Sequence, residues 1–353
     1  LNGCGVARKT VSPSEGSAVP GRRWPRRLLL AILTLSLAVT LLATLALWEV
    51  HRPLALTAPC DLTITAGQSL PAIARQLQRA GVIRSAPLFV ALARWQGVAG
   101  HLQAGSYRFE GGLTAVAVLD RLSRGAVQLV RCTLPEGLTA RETIDRLAAA
   151  GLGNAERFAV LLADAEFIGS LELEAPSLEG YLFPETYHFA AGTPEPAILA
   201  TLVRQLRQQL DEELRQAAAD QGLDLHRWLT LASIVQKESA LTEEMPRIAA
   251  VFHNRLRLGM PLQADPTVIY GLEGFDGNLT RAHLRTDHPY NTYTRTQLPP
   301  GPIANPGLSA LRAVARPATE DALYFVARGD GSHQFSRTLQ EHNRAVRRYQ
   351  QRR

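Results

Sequence analysis

The longest unbroken apolar stretch runs from Leu28 to Trp48, 21 residues without a charge, a Pro or a Gly. As a helix rising 1.5 Å per residue it would be about 30 Å long, the thickness of a bilayer's hydrocarbon core. Beyond it the pattern is amphipathic and short-period. Residues 61–83 and 131–152 repeat one another as an alternating strand, a Gly turn and a helix closed by Gly. Gly67, Leu77 and Gly81 have the same spacing as Gly137, Leu147 and Gly151. The apolar stripe is Leu70, Ile73, Ala74 and Leu77 in the first copy, and Ile144, Leu147 and Ala148 in the second. Between the copies the spacing predicts a helix over 86–96, an alternating strand with a Gly turn at 102–109 and a helix at 113–125. Further on it predicts one polar-faced helix over 195–222 and two helices across 225–259, broken at 241–245. An alternating segment in 260–272 then reads as a strand, 323–335 as a hairpin turning at Gly329-Asp330-Gly331, and the end from Thr338 as a basic helix.

The mixture is α+β throughout. Residues 1–27 read as a disordered basic tail, 28–48 as a transmembrane helix, 58–155 as one domain built on the internal repeat, and 156–353 as a larger domain.

Charge refines this division. The 353 residues carry 38 Lys+Arg against 32 Asp+Glu, a formal +6, and 46% are hydrophobic. That composition excludes wholesale disorder and a fibrous repeat. A basic chain suggests nucleic acid, but residues 1–27 hold six basic residues and one acid, leaving 32 basic and 31 acidic groups for everything after them. The excess positive charge therefore marks topology, with the tail in the cytoplasm and the remainder outside. Nucleic acid is not an expected partner. A cleaved signal sequence would have a shorter apolar core, about 7–15 residues, and a small-residue cleavage site; this stretch continues instead into Trp48-Glu49-Val50. Cys60 and Cys132 would share the oxidising side, where both a disulfide between them and two unpaired thiols fit. Cys4 would lie in the cytoplasm.

The candidate chemistry lies between 177 and 307. At about 100° per residue, Glu238 returns to the azimuth of Leu231, in the middle of the apolar stripe with Ile234 and Val235, at the end of its helix. Lys237 falls off that stripe. A carboxylate facing a core is rarely left unpaired without a role. Burial raises its pKa and keeps it protonated, as a general acid requires. The structural alternative is a core Glu satisfied by Arg255, which sits on the apolar face of the next helix.

Three further segments are rich in residues that grip uncharged polyols. SLEGYLFPETYHF (177–189) places Glu179, Glu185 and His188 among aromatics. MPLQADPTVIYGL (260–272) puts Gln263, Asp265 and Thr267 at alternate positions, on one face if it is a strand. HPYNTYTRTQLPPGPIANPG (288–307) is a long Pro/Gly loop carrying Tyr290, Asn291 and Tyr293. The nine His include no HExxH or similar ligand pair, so neither a metal nor a cofactor is expected.

Four long motifs, LTLASIVQKES, VFHNRLRLGMPLQADPTVIYG, YNTYTRTQLPPGPIANPG and ALYFVARGDGSHQFSRTLQEHN, closely resemble the YceG-like endolytic murein transglycosylases. The resemblance spans nearly the whole chain after the tail. It implies a single N-terminal anchor in the inner membrane with the chain beyond it on the periplasmic side, a LysM-like region and a catalytic domain with its catalytic Glu at a helix end. The strand–turn–helix units of residues 60–155 are themselves similar to LysM modules, which bind N-acetylglucosamine-containing glycans; a structural spacer fits them as well. The implied reaction cleaves the MurNAc–GlcNAc β-1,4 bond within peptidoglycan strands and leaves 1,6-anhydroMurNAc ends. Glu238 occupies the catalytic position of the KES motif. Gln236 stands where the family often has a second Glu, so Glu238 is the only carboxylate there. Glu185, Gln263, Asp265, Thr267, Tyr290, Asn291 and Tyr293 are the expected substrate-binding residues. Peptidoglycan strands, the membrane and cell-wall synthases are the expected partners. Two other readings remain open at this point. One is a non-catalytic peptidoglycan-binding anchor; the other is a hydrolytic muramidase, which would need a second carboxylate such as Glu185 or Asp265.

Overall fold

The computed structural model describes residues 26–350 apart from Ala66 and Ala240; the tail expected at residues 1–27 lies almost wholly outside them. Helix α1 (Arg26–His51) contains the apolar run, and its side chains from Leu28 to Trp48 are almost all exposed. It is the one described helix long and apolar enough to cross a membrane. Its last turn is tied down. Val50 is buried in the core that follows, and the Arg84 guanidinium donates to the carbonyls of Arg52 (3.0 Å) and Pro53 (2.9 Å) while lying 3.7 Å from Glu49.

That core is built from β1 (Leu54–Ala55), β2 (Cys60–Ile64), α2 (Leu70–Arg79), α3 (Ala86–Trp95), β3 (Gly105–Phe109), β4 (Gly112–Leu113) and α4 (Ala115–Arg124). Strands β2 and β3 pair antiparallel, Cys60 opposite Phe109 and Ile64 opposite Gly105, and β1 pairs with β4. The alternation expected of a half-buried strand holds, with Leu62 and Ile64 turned inward against Ile73, Leu77, Phe89, Tyr107 and Phe109.

The second core begins at β5 (Leu129–Thr133) and α5 (Ala140–Ala149), which are the second copy of the sequence repeat. This corrects the expected 58–155 domain. Strand β5 pairs antiparallel with β6 (Thr186–Ala190), Cys132 opposite Tyr187, and Cys132, Leu134, Ile144 and Leu147 pack with the residues that follow. The division between cores therefore falls near residues 125–129. A repeat encodes its own strand, turn and helix, whereas the choice of partner is made by distant apolar surface. Cys60 and Cys132 consequently sit on different sheets, and both are free thiols.

Helices α6 (Ala155–Leu161) and α7 (Ala165–Ser170) precede β6; α8 (Glu195–Gln209) and α9 (Glu212–Asp220) follow it. The single helix expected over 195–222 is thus two, because Asp211 caps α9 by accepting the Leu214 N–H at 2.8 Å. Next come α10 (Leu225–Glu238), a 3-10 turn at Thr242–Glu244, and α11 (Met245–Arg257), reproducing the expected break. Then follow α12 (Asp265–Gly271), α13 (Arg281–Arg285), α14 (Leu308–Ala315), the hairpin β7 (Tyr324–Ala327) and β8 (His333–Ser336), and α15 (Leu339–Tyr349). Helix α10 is the spine of this core: Trp228, Leu229, Leu231, Ala232, Ile234 and Val235 are all buried, and α11 and α14 pack on it.

Residues 260–272 do not form a strand. Gln263 has a left-handed backbone (φ 52°), and α12 starts two residues later with Pro266 in its first turn, where a missing N–H breaks no helical bond. The alternation of Gln263, Asp265 and Thr267 therefore does not place them on one face.

Candidate functional site

Glu238 is the last residue of α10. Ser239 leaves the helix in an extended conformation, and its hydroxyl both donates to the Leu241 carbonyl (2.9 Å) and accepts the Leu241 N–H (3.1 Å), turning the chain toward α11. The carboxyl group is recessed in a cavity of about 470 Å³ walled by Arg255, Gln263, Asp265, Tyr293, Tyr324, His333 and His342. Burial, reinforced by the negative charge of Asp265 and opposed by Arg255, pushes its pKa up to about 7. A helix C-terminus further disfavours negative charge.

The alternative of a simple Glu–Arg pair does not hold, since among the described residues Glu238 makes no ion pair. Arg255 is buried and committed to the backbone, donating to the carbonyls of Leu323 (2.7 Å), Leu262 (2.6 Å) and Pro261 (3.3 Å). It therefore fixes the cavity wall and acts on Glu238 only through its field.

The expected binding residues divide into three groups. Gln263, Asp265 and Tyr293 do meet around Glu238, and the Tyr293 hydroxyl donates to Asp265 at 2.5 Å. Thr267 and Asn291 are buried supports. Thr267 donates its hydroxyl to the Ala264 carbonyl (2.7 Å) and lies 2.8 Å from the Thr292 hydroxyl. The Asn291 amide donates to the carbonyls of His283, Leu284 and Thr286, the last at 2.7 Å, and its oxygen accepts the Tyr293 N–H at 2.9 Å. It positions Tyr293 and presents no free dipole to a ligand. Asn291→Ala should cost about 2 kcal/mol of stability, from several buried hydrogen bonds lost together, measurable by denaturant unfolding.

Glu185 and Tyr290 lie away from the cavity. Glu185 is exposed just before β6, where its carboxylate accepts the Thr186 N–H, and it is not part of the wall around Glu238. Tyr290 packs on Tyr270 with ring centroids 4.9 Å apart. Beside that pair is a buried carboxylate, Glu179, which accepts the Ala140 N–H (2.9 Å) and the Tyr270 hydroxyl (3.2 Å). Burial pushes its pKa up to about 7 against those two bonds.

The far wall was not anticipated as part of the site. Tyr324 and His333 come from the hairpin and His342 from α15. The His333 ring lies 2.7 Å from Glu244, which also accepts its backbone N–H at 3.1 Å, tying the hairpin to the turn just past Glu238. The hairpin itself is legible in the sequence; its docking across the cavity has no local signature. Arg344, Arg347 and Arg348 point into solvent on the outer side of α15.

Fold and site together define an α+β protein of two cores, the larger carrying a polar cleft in which the recessed carboxyl group of Glu238 lies with Asp265, Arg255, Gln263 and Tyr293. The model of the YceG-like family matches residues 62–348, and the chain belongs to that family. The endolytic murein transglycosylase of Bacillus subtilis (strain 168) is 33% identical over 305 residues, covering 82% of this chain and 84% of that protein. The endolytic murein transglycosylase of Streptococcus pneumoniae serotype 2 (strain D39 / NCTC 7466) is 28% identical over 318 residues, covering 80% of this chain and 57% of that protein. The 2.6 Å crystal structure of a yceG-like protein from Listeria monocytogenes superposes with a TM-score of 0.56 at 31% identity, covering 81% of this chain and 99% of that one.

Proposed function

We propose that this chain is a membrane-anchored lytic transglycosylase that cuts the MurNAc–GlcNAc β-1,4 bond inside peptidoglycan strands and leaves 1,6-anhydroMurNAc ends. The observation that carries the proposal is the Glu238 carboxyl group, recessed in the cleft with its pKa near neutrality. Protonated, it delivers its proton to the leaving glycosidic oxygen. As a carboxylate it then takes the proton of the C6 hydroxyl, whose oxygen closes on the anomeric carbon. The internal nucleophile removes the need for the second carboxylate of a hydrolase. Gln263 and Tyr293 line the same cleft, which supports a role for their dipoles in steadying the developing positive charge. Helix α1 supports the anchor, with the catalytic core on the outer side of the membrane. The strand–helix–helix–strand order of residues 60–109 supports a LysM-like, glycan-holding role for the first core.

Asp265 is the one specific observation favouring a hydrolytic muramidase, since it is a second carboxylate in the same cleft. Mass spectrometry of the fragments released from purified sacculi separates the readings. Anhydro ends support the proposal, reducing ends support hydrolysis, and no release supports a non-catalytic anchor.

The acid form of Glu238 sets the pH response. Below about 7 the proton is present; above it the proton is lost. The cleavage rate should therefore fall about tenfold per pH unit on the alkaline side, with the bend near 7. A rate profile flat from pH 6 to 9 would exclude Glu238 as the acid.

A further inference from the structure

Among the described residues only one buried side-chain nitrogen or oxygen has no hydrogen-bond partner, Nδ1 of His342. The ring belongs to α15, stacks on Tyr324 at 5.2 Å between centroids, and forms part of the wall of the cleft that holds Glu238. With Nδ1 covered, Nε2 is the ring nitrogen left for a ligand in that cleft. The tautomer follows from the surroundings. Burial and the nearby positive charge of Arg255 both hold the imidazole below its ordinary pKa, so it is neutral. A neutral ring has one N–H. A buried N–H without an acceptor is rarer than an unpaired buried acceptor, which favours the lone pair rather than the proton on the covered nitrogen. Nε2 is left carrying the hydrogen. In this tautomer the ring, held by its stack on Tyr324, offers an uncharged N–H donor in the wall of the same cleft as the acid.

We infer that His342 donates from Nε2 to the carbonyl oxygen of a substrate acetamido group and so selects N-acetylated over de-N-acetylated sugars. An acetamido oxygen is a neutral acceptor that suits a neutral donor. The ammonium of a de-N-acetylated sugar would set donor against donor, with the Arg255 charge close by. The inference rests on the glycan reading of this cleft but not on whether the product is anhydro or reducing.

The test uses the full chain in an E238Q background, where binding is read without turnover. The ligands are peptide-free peptidoglycan strands and the same strands after de-N-acetylation. The E238Q protein should prefer the acetylated strand about tenfold, the worth of one hydrogen bond. E238Q/H342F keeps the ring stack and loses the donor, so its preference should collapse toward unity. Its melting temperature should not drop, because the orphaned nitrogen goes too.

Gln places its amide near the Nε2 position and Asn near Nδ1. H342Q should therefore restore most of the preference and H342N should not, a contrast that stands even if H342F misfolds. Equal preference in E238Q and E238Q/H342F, or in the H342Q and H342N variants, would overturn the inference. Sacculus cleavage by E238Q at the wild-type rate would instead overturn the acid assignment and leave the binding ratios to be read on their own.

Discussion

Glu238→Gln is expected to slow glycan cleavage by about 10²- to 10⁴-fold, the contribution of a positioned general acid, and at the same time to stabilise the protein at alkaline pH. The amide matches the shape of the protonated carboxyl but has no proton to give. The stability effect follows from linkage. The folded-state pKa of Glu238 lies above its unfolded value, near 7 against 4.5. Between those values the native state binds the proton more tightly, so wild-type stability falls as pH rises through the window. Above 7 the carboxylate is charged in both states, and the native state bears the full cost of a recessed anion. A shift of this size corresponds to about 3 kcal/mol, reduced by the partial exposure of the group to about 1–2 kcal/mol. Chemical unfolding of the two proteins should give curves that coincide near pH 4 and separate by that amount at pH 8. A variant that is inactive but no more stable at pH 8 would mean that the recess costs nothing. Cleavage at the wild-type rate would remove Glu238 from the chemistry.

The largest stability loss is expected at Arg255. Truncation to Ala leaves the carbonyls of Leu262, Pro261 and Leu323 without their donor in a buried site. Each unsatisfied group costs about 1–3 kcal/mol, so Arg255→Ala should lose about 3–5 kcal/mol once water partly replaces the guanidinium. The same change removes the positive charge that holds the Glu238 pKa down, so the pH bend in the cleavage rate should move above 7 in whatever fraction remains folded. Lys keeps the charge but offers no planar fork to span three carbonyls, so Arg255→Lys should recover the position of the pH bend better than the stability. An Arg255→Ala protein as stable as wild type would show that the wall does not depend on this residue.

What the sequence makes legible here is what short-range periodicity encodes. The stripe of Leu231, Ile234 and Val235 carries Glu238 at the end of α10, and the break before Met245 is visible in the same way. Contacts between distant segments are invisible at that level. The strand of residues 129–133 resembles its earlier copy, yet pairs with β6 because the larger core offers the apolar surface. The polar alternation at Gln263, Asp265 and Thr267 imitates a strand, whereas the left-handed turn at Gln263 and Pro266 start a helix. Asn291 and Thr267 have the chemistry of ligand-binding groups, but their hydrogen bonds are consumed in holding Tyr293 and the loop. Conversely, His342 looks like one polar residue on a solvated helix until the hairpin brings it to the cleft.

Arg84, bonded to the Arg52 and Pro53 carbonyls and paired with Glu49, ties the end of α1 to the first core, as does the burial of Val50. With α1 seated in a bilayer as proposed, an apolar segment longer than the local hydrocarbon layer leans to fit it. Any lean would be handed on to the core above as a change of posture. Membrane thickness would then bear on the tilt of the first core, and loss of the Arg84 contacts would leave Val50 as the tie between helix and core.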